Sequence, residues 1–256
     1  MAESYETQAT GLRIVPGQWR PHYLWEHIAW VSPPWPSQDY VWLDFPEAIF
    51  TSQGLIFLSH INPSVPSVYT DLPAVAWESV PDGIAFERQL PNGVRFGGSV
   101  TRQEERTVRL HLFIENTSTA PLENITLQTC VFLRACREFA DYTMDNKFVH
   151  VPQEGWLPFR EAQSQGDSCC AYALGWRGGP RVADLPYMVA RSNQGQRHVA
   201  MTWGKNTLSL VGNPGHPCFH ADPFFPDLDV GQQADINGEL VFFEGDIRAI
   251  ESRLQE

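Results

Sequence analysis

The sequence predicts an all-β protein, a large antiparallel two-sheet β-sandwich with one short helix at its C-terminal end. Three observations predict it. Long runs alternate apolar and polar side chains, most clearly at residues 107–115 and 125–133, and a period of two belongs to a half-buried strand. Turn residues punctuate the chain at short intervals. Asn92-Gly93 stands between two β-type runs, and Asn-Gly is the strongest short hairpin signal. Helical spacing shows in Ile247, Ile250 and Leu254 near the end of the chain.

In chain order, residues 11–15 read as an edge strand. Residues 21–46 hold Trp25, Trp30, Trp35, Tyr40, Trp42 and Phe45 among prolines and read as a strap over the core. Trp35 and Tyr40 are the pair that an exposed, sugar-stacking wall would use. Residues 1–45 are then a lead-in packed on one domain spanning 1–256, since no linker or shift of composition divides the chain. Residues 47–50 and 55–58 form a hairpin about Ser52-Gln53-Gly54. Strands follow at 74–80, 84–90 and 94–100. The runs at 107–115 and 125–133 are joined by Asn116-Thr117-Ser118, which has turn chemistry. The strands between 84 and 135 suit one antiparallel meander, and residues 137–162 read as irregular. Strands resume at 170–176, 198–203, 208–211 and 236–243, and Asp246 stands near the cap of the terminal helix.

Composition excludes several classes of function. The chain carries 30 acidic against 18 basic side chains, a formal net charge of −12, and no basic run. That argues against nucleic acid and anionic membrane surfaces as partners. It favours a small-molecule or oligosaccharide substrate. No apolar stretch is long enough to span a bilayer. The polar, acidic start lacks the pattern of a secretory signal, so the expected location is cytoplasmic. The five cysteines, Cys130, Cys136, Cys169, Cys170 and Cys218, form no CxxC pair. They read as reduced thiols rather than a zinc knuckle. Sheet edges and the aromatic N-terminal third make a homodimer plausible.

One stretch concentrates chemistry. Residues 213–227 place Asn213, His216, Cys218, His220, Asp222 and Asp227 among four prolines. Proline breaks helices and central ladders, so the stretch reads as a stiff surface loop, where function commonly sits. His216, His220 and Asp222 are candidate ligands for one divalent ion (Zn, Fe, Cu or Ca), with His60 or His150 joining from elsewhere. The same side chains equally fit a metal-free acid–base site, or structural hydrogen bonds within the loop. Cys218 reads as inert. A second cluster, Asp145-Asn146-Lys147 with His150, offers Asn146 to bind or polarise a substrate and Lys147 or His150 as a base; its bland reading is a turn with a solvated lysine. His60 ends a strand, and Glu47 precedes one as a rim carboxylate. Trp203 and Trp176 read first as core, with Trp203 and Asn213 as further substrate contacts.

Several of these motifs also carry a resemblance. Pro46-Glu47-Ala48-Ile49-Phe50, Leu58-Ser59-His60, Leu90-Pro91-Asn92-Gly93, Gln128-Thr129-Cys130, Asp145-Asn146-Lys147, the 213–227 stretch and Gly238-Glu239-Leu240-Val241-Phe242-Phe243-Glu244-Gly245 together resemble a widespread family of bacterial β-sandwich proteins over roughly residues 40–254. The layout is more distantly similar to the galactose-mutarotase-like supersandwich. That fold hosts aldose epimerases, polysaccharide lyases and domains of glycoside hydrolases. The resemblance implies a carbohydrate-active enzyme of lyase, isomerase or epimerase, or hydrolase type. The catalytic His and Glu of the mutarotases find no residue-by-residue match here, which puts simple mutarotation in doubt. Two alternatives stand beside it: a non-catalytic carbohydrate-binding module, and a metal-dependent oxidoreductase using His216 and His220. His220, His216, Lys147 and His150 are the expected catalytic residues. Asn146, His60, Glu47, Trp203, Asn213 and Trp35 are the expected substrate contacts.

Overall fold

The computed structural model describes residues 10–62, 68–163, 171–173, 183–212 and 215–255. Asn213, Trp176, Cys169 and Cys170 lie outside these. In chain order the strands are β1 (Ile14–Gly17), β2 (Ile28–Val31), β3 (Val41–Thr51), β4 (Gly54–Leu58), β5 (Glu78–Val80), β6 (Gly83–Gln89), β7 (Val94–Arg102), β8 (Thr107–Asn116), β9 (Thr126–Phe132), β10 (Lys147–Val151), β11 (Gly155–Pro158), β12 (Ala171–Ala173), β13 (Met188–Arg191), β14 (Arg197–Thr202), β15 (Thr207–Gly212), β16 (Cys218–Pro223) and β17 (Gln233–Glu244). One short α-helix, α1 (Phe159–Gln163), follows β11, and the chain closes on a 3-10 helix, Ile247–Gln255. Asp246 caps that helix as expected, accepting from the Arg248 N–H at 2.9 Å. Among the described residues no helix is long and apolar enough to cross a membrane.

The strands form two antiparallel sheets. One has eight strands in the order β1-β2-β3-β9-β16-β15-β12, with β4 hairpinned onto β3. The other has nine, in the order β11-β10-β13-β14-β17-β8-β7-β6-β5. The alternation in β8 buries Val108, Leu110, Leu112 and Ile114 almost completely. Phe45 of β3 stacks on Trp203, ring centroids 6.0 Å apart. It lies over Gly98 of β7, where a Cβ would stand 2.7 Å from the Phe45 ring. The close approach of the two sheets at this point therefore requires glycine.

Four sequence expectations are corrected. The meander ends at β8, because β9 crosses to the other sheet and pairs with β3 and β16. The segment 74–80 yields only β5. Residues 137–162 contain β10, β11 and α1, because three of the five β10 side chains are apolar and buried in a run too short to show a period. Most consequential, the stretch 213–227 is no simple loop. Its middle is β16, an interior strand between β9 and β15. Pro217 lies just before the strand and Pro223 is its last residue, so residues 218–222 keep every N–H that the ladder needs.

Candidate active site

β16 presents alternate side chains to opposite faces. Phe219 and Ala221 join the core. Cys218, His220 and Asp222 point to the other face of the sheet. Cys218 and His220, with Cys130 and Gln128 of β9 and Glu47 of β3, line a cleft of about 450 Å³. Trp19, Arg20, His60, Asn62, Phe132 and His216 complete its walls.

Glu47 reaches the cleft through an irregularity in β3. Asp44 pairs with Cys130 and Ala48 with Gln128, so four steps along β3 oppose two along β9. In a regular strand, residues three apart face opposite sides. This bulge turns both Asp44 and Glu47 toward the cleft. The Phe45–Pro46 peptide bond within it is cis.

Glu47 stands between two imidazoles. Its Oε1 lies 3.9 Å from His60 Nδ1 and its Oε2 3.9 Å from His220 Nε2. His220 Nδ1 in turn faces Asp222 Oδ1 at 3.4 Å, a contact too long for a well-formed hydrogen bond. Asp222 is held by the Thr129 N–H at 3.2 Å and the Ser209 hydroxyl at 3.4 Å. Cys218 Sγ lies 4.0 Å from His220 Nε2. At the rim, Trp19 stacks on Phe132 with centroids 4.3 Å apart, and the Arg20 guanidinium lies over Trp19. Arg20 also anchors this wall to the sheet, donating to Glu26 at 2.9 Å and Asp44 at 2.7 Å.

The electrostatics follow from burial and from these neighbours. Burial raises the pKa of the Glu47 carboxyl, although His220 opposes the shift. Burial, helped by the charge of Arg20, lowers His60 to about 4, so it is neutral near pH 7. Burial also pulls His220 down, but Asp222, Cys218 and Glu47 together outweigh it and its pKa ends well above the ordinary value. Cys130 donates to Cys218 and holds that thiol well below its usual pKa, while its own is raised. His216 is raised, first by its hydrogen bond with Cys218.

The structure thus gathers His216, His220, His60 and Glu47 in one cleft and sends the other candidates elsewhere. Lys147 is on β10 of the other sheet, its side chain fully buried. Its Nζ donates to the Asp141 carbonyl at 2.6 Å, and burial lowers its pKa. Asn146 spends its amide on the Phe139 and Arg191 carbonyls. His150 pairs with Asp184 at 2.6 Å. Lys147, Asn146 and His150 do not line the cleft, so the structure does not bring these three together with Glu47 and its two imidazoles. Trp203 is 1% exposed and donates to Thr129 Oγ1, which makes it core. Trp35 is 6% exposed, with its indole N–H on Glu138 at 2.6 Å. It cannot stack on a ligand, and the exposed aromatic wall expected of a binding module loses its main member. Asp222 is buried behind His220, its Oδ1 3.4 Å from Nδ1 of that ring, and does not line the cleft.

Sequence reasoning missed Trp19, Arg20, Gln128 and Cys130. The first two sit in a segment without periodicity, and the others are hidden in a regular strand. A wider hollow of about 580 Å³ lies on the nine-stranded sheet, lined among others by Gln103, Arg109, Tyr187, Glu239 and Arg253. Arg253 there is paired with Glu239 at 3.1 Å, and no described imidazole or thiol lines it.

No protein-family model matches the sequence, and no curated protein matches it. Solved structures do match. A candidate aldose 1-epimerase of Escherichia coli K12 is 11% identical, with 92% of this chain and 100% of that one covered at a TM-score of 0.49. Galactose 1-epimerase of Lactobacillus acidophilus NCFM is 9% identical, with 93% and 100% covered at 0.44. A TPR-domain-containing protein of Parabacteroides distasonis is 9% identical at 0.43; 94% of this chain covers 54% of that one. The chemistry is left to be read from the residues themselves.

Proposed function

We propose that the protein is an enzyme acting on a small neutral sugar or sugar derivative by proton transfer, of isomerase or lyase type. The observation that carries this reading is Glu47, set 3.9 Å from each of two imidazoles in the cleft floor. A carboxylate so placed can take a proton from a hydroxyl or an activated C–H, with a histidine returning one on another side of the ring. The walls support the substrate class. Trp19, part-exposed at the rim with buried Phe132 stacked against it, offers apolar surface to a sugar ring. Asn62 and Gln128 offer amides to its hydroxyls. A cleft of about 450 Å³ is of the size that holds small ligands.

The test is a panel of monosaccharides and uronic acid derivatives in D2O, followed by NMR for anomer exchange, for C–H to C–D exchange and for unsaturated products. Glu47→Gln is expected to lower the rate by about 10²- to 10⁴-fold. Full activity of Glu47→Gln on an identified substrate would overturn the assignment.

A further inference from the structure

The floor of the cleft carries two thiols that proton transfer does not use, beside a histidine, His220, that it shares. Cys218 and His220 are two residues apart on one face of β16. Cys130 on β9 is directly opposite His220 in the ladder. The two thiol sulfurs and an imidazole nitrogen all lie within 4.8 Å of one another, and all three residues are under a tenth exposed. We propose that Cys130, Cys218 and His220 are a site for a thiophilic cation, zinc or copper(I), with its fourth position open toward the cleft.

Donor chemistry and geometry both point there. Two thiolates and one imidazole form a soft set that selects zinc or copper(I) over calcium or magnesium. Zinc bonds of about 2.3 Å to sulfur and 2.0 Å to nitrogen place tetrahedral donors roughly 3.5–3.8 Å apart. The observed 4.0 Å from Cys218 Sγ to His220 Nε2 needs only small side-chain rotations to reach this, with the backbone fixed by two ladders. His220 supplies an independent sign. Its Nδ1 is buried without a hydrogen-bond partner, yet Asp222 waits 3.4 Å away, itself fixed by Thr129 and Ser209. A carboxylate behind one imidazole nitrogen, aiming the other at a cation, is the usual outer support of a metal-bound histidine. Asp222 is thus a positioning residue and not the ligand that the sequence suggested. Binding displaces to solvent the protons held by the two thiols and by His220.

The site extends beyond the sugar reading and does not depend on it. Metal content and cobalt spectra are read without substrate. A metal-free protein therefore leaves proton transfer standing, and absent turnover leaves the metal site standing. Protein purified without chelator is assayed by elemental mass spectrometry, and the stripped protein is titrated with Co(II), Zn(II) and Cu(I). The expectation is about one equivalent per chain, with thiolate-to-cobalt charge-transfer absorption and release of protons. Cys130→Ser and Cys218→Ser should lose that absorption, while Cys136→Ser, at a buried thiol that does not line the cleft, keeps it. Asp222→Asn should weaken binding by about tenfold or more. The cobalt spectrum of the wild type needs no variant to fold. A folded wild type that takes up none of the three ions would overturn the proposal, as would a cobalt spectrum lacking thiolate absorption. A Cys130–Cys218 disulfide found in protein freshly purified under reducing conditions would overturn it too.

Discussion

Arg20 carries the wall of the cleft, and its removal has a calculable effect. Its guanidinium donates to Glu26 and Asp44, whose side chains are 1% and 2% exposed. In Arg20→Met the two carboxylates fare differently. Glu26 keeps the backbone N–H groups of Trp19 and Arg20. Asp44 keeps only the Ser59 hydroxyl, and its Oδ1 has no partner. Burial already holds the Asp44 pKa well above the ordinary carboxylate value, with Arg20 opposing that shift; without Arg20 this buried carboxyl is left nearly uncompensated and is pushed further toward protonation, a loss of up to about 3–5 kcal/mol. Methionine keeps the stem but removes the guanidinium over Trp19, which adds about 0.5–1 kcal/mol to the loss. Adding Asp44→Asn to Arg20→Met removes the stranded charge and should return about half of the loss or more. Urea unfolding of the wild type, both single variants and the double variant gives the coupling directly. In a chain of this length the Arg20→Met loss is about 6–20 °C in Tm. A loss under about 1 kcal/mol, or an Asp44→Asn change that restores nothing in the Arg20→Met background, would show that solvent screens these charges and refute the reasoning.

Two further outcomes follow from other parts of the fold. His198 is almost wholly buried, stacked on Phe243, and burial together with Arg191 lowers its pKa from 6.5 to about 4. The unfolded chain takes up the proton first, so this contribution to stability is complete above pH 6.5 and falls as pH drops toward 4, by about 2–3 kcal/mol. Urea midpoints measured across that window should fall less steeply in His198→Phe than in the wild type, and equal slopes would refute the assignment. Gly98→Ala would place a Cβ 2.5 Å from the His111 carbonyl oxygen and 2.7 Å from the Phe45 ring. It should destabilise by about 1–3 kcal/mol, read as a drop in Tm, and an unchanged Tm would mean that the sheets can separate locally there.

The sequence made the sandwich legible because its strands are long and one-sided. β6, β7, β8 and β17 each alternate over several residues, with turn chemistry between them. The site was legible only by composition. The stretch around His220 announces itself through rare residue types, but its prolines disguised an interior strand, since their effect depends on whether they fall inside or beside the ladder. Cys130 belongs to the Gln128-Thr129-Cys130 motif, but nothing local marks it as part of a site. It looks like any small side chain in an alternating run, and its partners lie some ninety residues downstream in the sequence. Lys147 and His150 misled for the opposite reason. They are polar neighbours in sequence on β10 of the other sheet, bonded to Asp141 and Asp184. Glu47 was picked out as a carboxylate, but the bulge that aims it arises from pairing with β9, which no local pattern reveals.

β16 has a consequence for the protein's upbringing. All three of its chemically active side chains sit on the same parity of a strand whose opposite parity fills the core. A slip of one residue against β9 or β15 would bury His220 in hydrocarbon and offer Phe219 and Ala221 to the cleft. There is no half-working register, so a molecule that misassembles this ladder loses its fold and its chemistry together. Selection on the cleft alone would then also proofread the folding of the strand, and neutral drift along β16 must move in steps that preserve both faces at once.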